Sequence, residues 1–139
     1  MRTLACWTLL FIFAAAPALP LATGQTGADA MFGFVAAPDA DFAAIRRAGG
    51  GAVKITADWS LIEAERGAFH WTDLDAAIRA AVNAGLSVTV ILAYTPRWAS
   101  IATGLELKDR AIFSRQPAKR IEDWETFVRK AVTRYRSRL

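Results

Sequence analysis

Three times between residues 31 and 135 a short apolar run gives way to an amphipathic stretch, and that alternation leaves few folds open. The first run, residues 31–36, ends in the turn residues Pro38 and Asp39. Asp41 then stands where it can cap a helix whose Phe42, Ile45 and Ala48 share one face, and Gly49, Gly50 and Gly51 stop it. A second run covers residues 52–57, and Thr72 with Asp75 predicts a capping box opening the next helix. Leu74, Ile78, Ala81 and Val82 fall at helical spacing there, and Asn83-Ala84-Gly85 closes it. Residues 86–92 are apolar and β-branched, the composition of a strand covered on both faces in a parallel sheet. The last element is a helix with Trp124, Phe127, Val128, Ala131, Val132 and Tyr135 on one side. Its acids come early and its arginines late, as the helix dipole favours. The order β-α-β-α-β-α predicts an α/β fold with a parallel sheet. Between the third strand and the last helix lies a polar stretch, residues 99–120, too long for an ordinary connection. It is expected to be either functional or disordered.

The first thirty residues stand apart from this pattern. Arg2, the apolar run 4–16 and the small residues and prolines after it have the layout of an export signal, assigned to residues 1–28, with a secreted or periplasmic product. The run is broken too soon by proline to favour a membrane anchor. About 110 residues then remain, enough for one small core but short of the roughly 250 of a complete eight-stranded α/β barrel. Cys6, the only cysteine, falls inside the signal, so disulfides, a thiol nucleophile and cysteine-held metals are excluded from the rest. With His70 as the only histidine, neither a metal site nor a cofactor is expected, and no glycine-rich phosphate loop or Gly-x-Ser-x-Gly elbow occurs. Of the net charge of +4, residues 97–139 contribute eleven basic against five acidic side chains. They interleave with the helical apolar pattern, which points to a solvated helix face and not to nucleic-acid binding.

Within residues 53–100, Trp59, Ile62-Glu63, Gly67, Phe69, Trp71 and Leu74-Asp75 recur in a characteristic order, followed by Thr95-Pro96-Arg97-Trp98-Ala99. This pair of blocks resembles the second and third βα units of the clan A glycoside hydrolases, the cellulase and β-xylosidase relatives. The resemblance implies the first three βα units of a (β/α)8 TIM barrel, incomplete, over residues 29–139. It also implies hydrolysis of O-glycosidic bonds in a poly- or oligosaccharide by a retaining mechanism with two glutamates. The Asn-Glu-Pro motif that carries the acid/base glutamate of those enzymes does not occur, and the nucleophile belongs to a later strand. Both glutamates are therefore expected beyond Leu139, and the chain alone is expected to be inactive. The family's arginine at the end of the second strand, which helps hold the nucleophile, is replaced by Lys54, and the proline after Ile-Glu by Ala64.

Asp58 lies at the carboxyl end of the second strand, where barrels place their sites, although a loop carboxylate or helix cap would sit there too. Glu63 reads as a tie for the following loop. Trp59, Tyr94 and Trp98 fall at or past strand ends and could stack on sugar rings; for Trp59, as for Trp71, loop packing is the stronger expectation. Lys54, Asp58, Trp59, Tyr94 and Trp98 form the expected substrate-binding set, with a carbohydrate as the ligand. The alternatives are a non-catalytic carbohydrate-binding remnant and a split barrel completed by another chain.

Overall fold

The computed structural model describes residues 33–137; the expected export signal and Cys6 lie outside them. Three strands, β1 (Gly33–Ala36), β2 (Ala52–Asp58) and β3 (Ser87–Ala93), form one parallel sheet in the order β1-β2-β3. Helix α1 (Phe42–Arg47) joins β1 to β2, and a short α2 (Trp59–Ile62) with α3 (Thr72–Asn83) joins β2 to β3. After β3 come a 3-10 turn (Gly104–Lys108), α4 (Arg110–Phe113) and the long α5 (Ile121–Tyr135). The mixed α/β architecture with a parallel sheet is as the alternation predicts.

Local chemistry sets the boundaries. Asp41 caps α1 by accepting from the Ala44 amide at 2.9 Å. Gly85, at φ 76°, takes the left-handed conformation that ends α3, and the Leu86 amide closes back onto the Ala81 carbonyl. The expected capping box at the start of α3 is absent: the cap position is Trp71, with no side-chain cap bond. Asp75 is engaged elsewhere, accepting from the Tyr135 hydroxyl and pairing through both oxygens with Arg134. A tertiary, charge-assisted clamp thus takes the carboxylate in place of a local backbone bond.

The core lies on one side of the sheet. Val53, Ile55 and Ala57 alternate along β2 and are fully buried against Phe42 of α1, Leu74, Ile78 and Ala81 of α3, and Phe127 and Tyr135 of α5. The intervening residues Lys54, Thr56 and Asp58 point the other way. The expectation that the third strand is covered on both faces is not met: Val88, Val90 and Leu92 pack on the helices, while Ser87, Thr89 and Ile91 are exposed. No layer covers the second face among the described residues, so alternation, and not uniform burial, governs β3.

Candidate functional site at the strand ends

The carboxyl ends of β2 and β3 carry most of the polar and aromatic side chains singled out in the sequence. At the end of β2, Trp59 is fully buried, stacked on Phe127 at 5.4 Å and set edge-on to Trp98 at 5.7 Å. Its indole N–H donates to Glu63 Oε2 at 2.7 Å, and the Gly67 amide donates to Glu63 Oε1 at 2.8 Å. Glu63 therefore ties the loop after α2 to the core, as the sequence suggests. The Trp98 indole donates to the Glu63 carbonyl at 2.8 Å, and the Arg66 guanidinium lies 4.6 Å from the Trp98 ring centroid. Both tryptophans thus spend their ring surface and their N–H on the scaffold.

Asp58 accepts from Ser60 Oγ at 2.6 Å through one oxygen and pairs with Arg110 through the other. Arg110 also donates to Ser60 Oγ at 2.9 Å, and its guanidinium lies 6.0 Å from the Tyr94 ring centroid. Asp58 precedes α2 without capping it through its side chain; its work is to hold α4 over the end of β2. Arg110 is the member of this cluster that the sequence did not mark. Its partner lies 52 positions away, and the only local sign is Asp109, which caps α4 by accepting from the Ala111 amide.

Lys54 is the third residue of β2, not its last, and is exposed on the open sheet face. It lies on the same face of the strand as Asp58, four positions earlier, with Thr56 between them. The structure therefore gathers Asp58, Trp59, Tyr94 and Trp98 near the strand ends and leaves Lys54 apart. No family model, no curated protein and no solved structure matches this chain.

The stretch 99–120 is ordered by its own bonds. The Thr95 amide and hydroxyl donate to the Ser114 and Gln116 carbonyls at 2.8 and 2.7 Å. Ser100, fully buried, donates to the Phe113 carbonyl at 2.8 Å, and its bridge to Ala118 closes the base of the loop. Beneath this loop is a cleft of about 560 Å³ whose walls include Tyr94, Arg115, Gln116, Pro117, Ile121 and Trp124. Tyr94 is 41% exposed, and among the described residues it is the only non-glycine with positive φ, at 68°. The left-handed backbone costs a residue with a Cβ roughly 1–2 kcal/mol, and such strain concentrates at functional positions. His70 is exposed and Trp71 packs on Phe127, and no group of acids and histidines able to hold a metal occurs among the described residues. No helix among them is long and apolar enough to cross a membrane.

Proposed function

We propose that this chain is the amino-terminal part of an exported glycoside hydrolase of the (β/α)8 type, contributing sugar-binding surface to a retaining enzyme whose two catalytic glutamates it does not itself supply. The observation that carries the proposal is Tyr94: an exposed ring held in a strained backbone at the carboxyl end of β3, on the wall of the cleft. Flat aromatic rings bind the apolar faces of sugars, and Gln116 beside it offers both a donor and an acceptor for hydroxyls. Two further observations support the reading: a parallel sheet with its helices banked on one side, and the paired sequence blocks that resemble the clan A hydrolases. Retaining hydrolysis needs two carboxyl groups about 5–5.5 Å apart across the bond. Asp58 and Glu63 are each committed to structural partners, so neither acts as nucleophile or acid here.

Titration of the full chain with gluco- and xylo-oligosaccharides, followed by amide chemical shifts, tests the proposal. Weak saturable binding, lost in Tyr94→Ala and kept in Lys54→Ala, is expected, with no release of sugar from aryl glycosides. Absence of binding at tens of millimolar sugar, or hydrolysis that Asp58→Ala abolishes, would overturn it. A second reading, a non-catalytic carbohydrate-binding remnant, is favoured by the same commitment of Asp58 and Glu63. It differs in predicting no hydrolysis even when the remaining units of a barrel are supplied.

A further inference from the structure

Arg110 reaches both of its partners with a single nitrogen: Nη2 donates to Asp58 Oδ2 and, at 2.9 Å, to Ser60 Oγ. Ser60 in turn donates its hydroxyl to Asp58 Oδ1 at 2.6 Å, so the three side chains close a ring of hydrogen bonds. The guanidinium is thereby fixed in place at the carboxyl end of β2. Its Nη1 and Nε donors, however, meet no acceptor among the described residues, and the side chain is 51% exposed. The nearest ring is that of Tyr94, whose centroid lies 6.0 Å from the guanidinium, at the outer limit of about 6 Å for a cation–π contact. An anchored cation with donors to spare thus stands beside an exposed aromatic ring held at positive φ. Neither the edge of the sheet nor the outer face of α5 takes part in this arrangement.

Resting on the reading of Tyr94 as a sugar platform, we infer that the sugar it takes is a uronic acid, its carboxylate accepting from Arg110 Nη1. A pyranose laid on the ring carries its carbon-6 substituent at the rim, on the scale of the gap between Tyr94 and Arg110. A hydroxymethyl group there gains a hydrogen bond to the cation, whereas a carboxylate gains one in which both partners are charged, the strong class of such bonds. Asp58 offsets part of the Arg110 charge, but the surrounding loop restores the sign. Residues 95–120 hold six basic side chains, among them Arg97 and Arg115, against two acids. Both acids are turned onto backbone: Glu106 accepts from the Thr103 amide and Asp109 from the Ala111 amide. A field of one sign over the strand ends favours an anionic ligand. Arginine is the residue that such a site needs, because one nitrogen anchors the head group while another remains for the ligand; a lysine has only one nitrogen to offer.

The test titrates the full chain with cellotetraose and with the same oligosaccharide oxidised to the carboxylate at carbon 6, so that the two ligands differ in that group alone. The oxidised sugar should bind about tenfold tighter or more at low salt, the advantage shrinking as salt is added, and Tyr94→Ala should abolish binding of both. Arg110→Lys should cut the preference to about threefold or less while leaving cellotetraose affinity within about twofold; a merely structural role for Arg110 would weaken both sugars alike. Arg129→Gln, which removes an exposed cation from α5, should leave the preference intact. Should Arg110→Lys fail to fold, the parent protein still decides, because its Arg110 Nε–H resonance should shift with the oxidised sugar and not with cellotetraose. Equal binding of the two sugars, a preference that survives Arg110→Lys or falls equally in Arg129→Gln, or an Arg110 resonance indifferent to the oxidised sugar would overturn the inference and leave Tyr94 as a platform for neutral sugars. Binding of neither sugar would overturn the inference together with the hydrolase reading beneath it.

Discussion

Replacing Glu63 by alanine asks how much of this fold hangs on one buried carboxylate. Glu63 is 4% exposed and accepts from the Trp59 indole at 2.7 Å and from the Gly67 amide at 2.8 Å. A hydrogen bond to a charged group contributes about 1.5–3 kcal/mol, and a buried donor left unmade costs about 1–3 kcal/mol. The two donors differ in what they find afterwards. Gly67 is exposed and regains water, whereas Trp59 has no exposed surface and its N–H stays unsatisfied. Removing the carboxylate also recovers its own desolvation, which offsets part of the loss. The net cost of Glu63→Ala is then about 3 kcal/mol, and with about 4–8 °C per kcal/mol for a domain of this size the melting temperature should fall by about 12 °C or more. Glu63→Gln keeps an oxygen for one donor and turns an N–H2 group toward the other, so it should cost about half as much. Urea unfolding followed by tryptophan fluorescence and by far-ultraviolet circular dichroism measures both, provided the two transitions coincide. A Glu63→Ala protein within about 0.5 kcal/mol of the parent would refute the reasoning, because it would mean that the Trp59 N–H finds another partner or water.

Three further outcomes are expected. Tyr94→Gly should relieve the left-handed backbone and leave stability unchanged or up to about 1 kcal/mol higher while abolishing sugar binding; a clear loss of stability would show that the ring, not the ligand, needs that conformation. Arg110→Ala should change global stability by less than about 1 kcal/mol, since the guanidinium is half exposed, but should speed amide exchange over residues 101–116; unchanged exchange there would remove its role as a latch. Burial first, and then the bond to Asp75, hold the Tyr135 phenol protonated well above its ordinary value near pH 10. Because the folded value lies above the unfolded one, this contribution is complete below about pH 10. It declines as pH rises toward the folded value, by up to about 1.4 kcal/mol per pH unit. Tyr135→Phe should flatten that decline in urea midpoints between about pH 9 and 11.5, and parallel profiles for the two proteins would count against it.

How much of this was legible in the chain depends on how local the cause is. Asp41 as a cap, Gly85 as a stop and the Phe127, Ala131 and Tyr135 part of the α5 stripe are set by neighbours within a turn or two, and the pattern locates them correctly, whereas Val132, expected on the same side, is 54% exposed. The start of α3 was misread because Thr72 and Asp75 satisfy a local rule, while Arg134 and Tyr135, 59 and 60 positions away, claim the carboxylate. The Asp58–Arg110 pair and the order of the loop at 99–120 were illegible for the same reason: their partners meet only after the sheet has formed. For β3, apolar composition alone could not tell a strand covered twice from one covered once, which depends on layers and not on the strand's own residues.

The block from Trp59 to Asp75 has a physical meaning of its own. Trp59 and Gly67 both donate to the Glu63 carboxylate; Phe69 stacks on Trp71 at 5.8 Å and Trp71 on Phe127 at 6.0 Å; and Asp75 grips Arg134 and Tyr135. Those residues form one clamp that fastens the connection between β2 and α3 onto α5, with Lys130 and Arg134 lying over the Phe69 and Trp71 rings on the outside. Spacing of that kind is demanded by packing, so the block by itself carries no chemistry. Trp98 belongs to the same clamp through the Glu63 carbonyl and Arg66. Tyr94, strained, exposed and next to a cleft, stands outside this clamp with the Arg110 guanidinium 6.0 Å from its ring centroid, and it is the aromatic on which the proposed sugar binding chiefly rests.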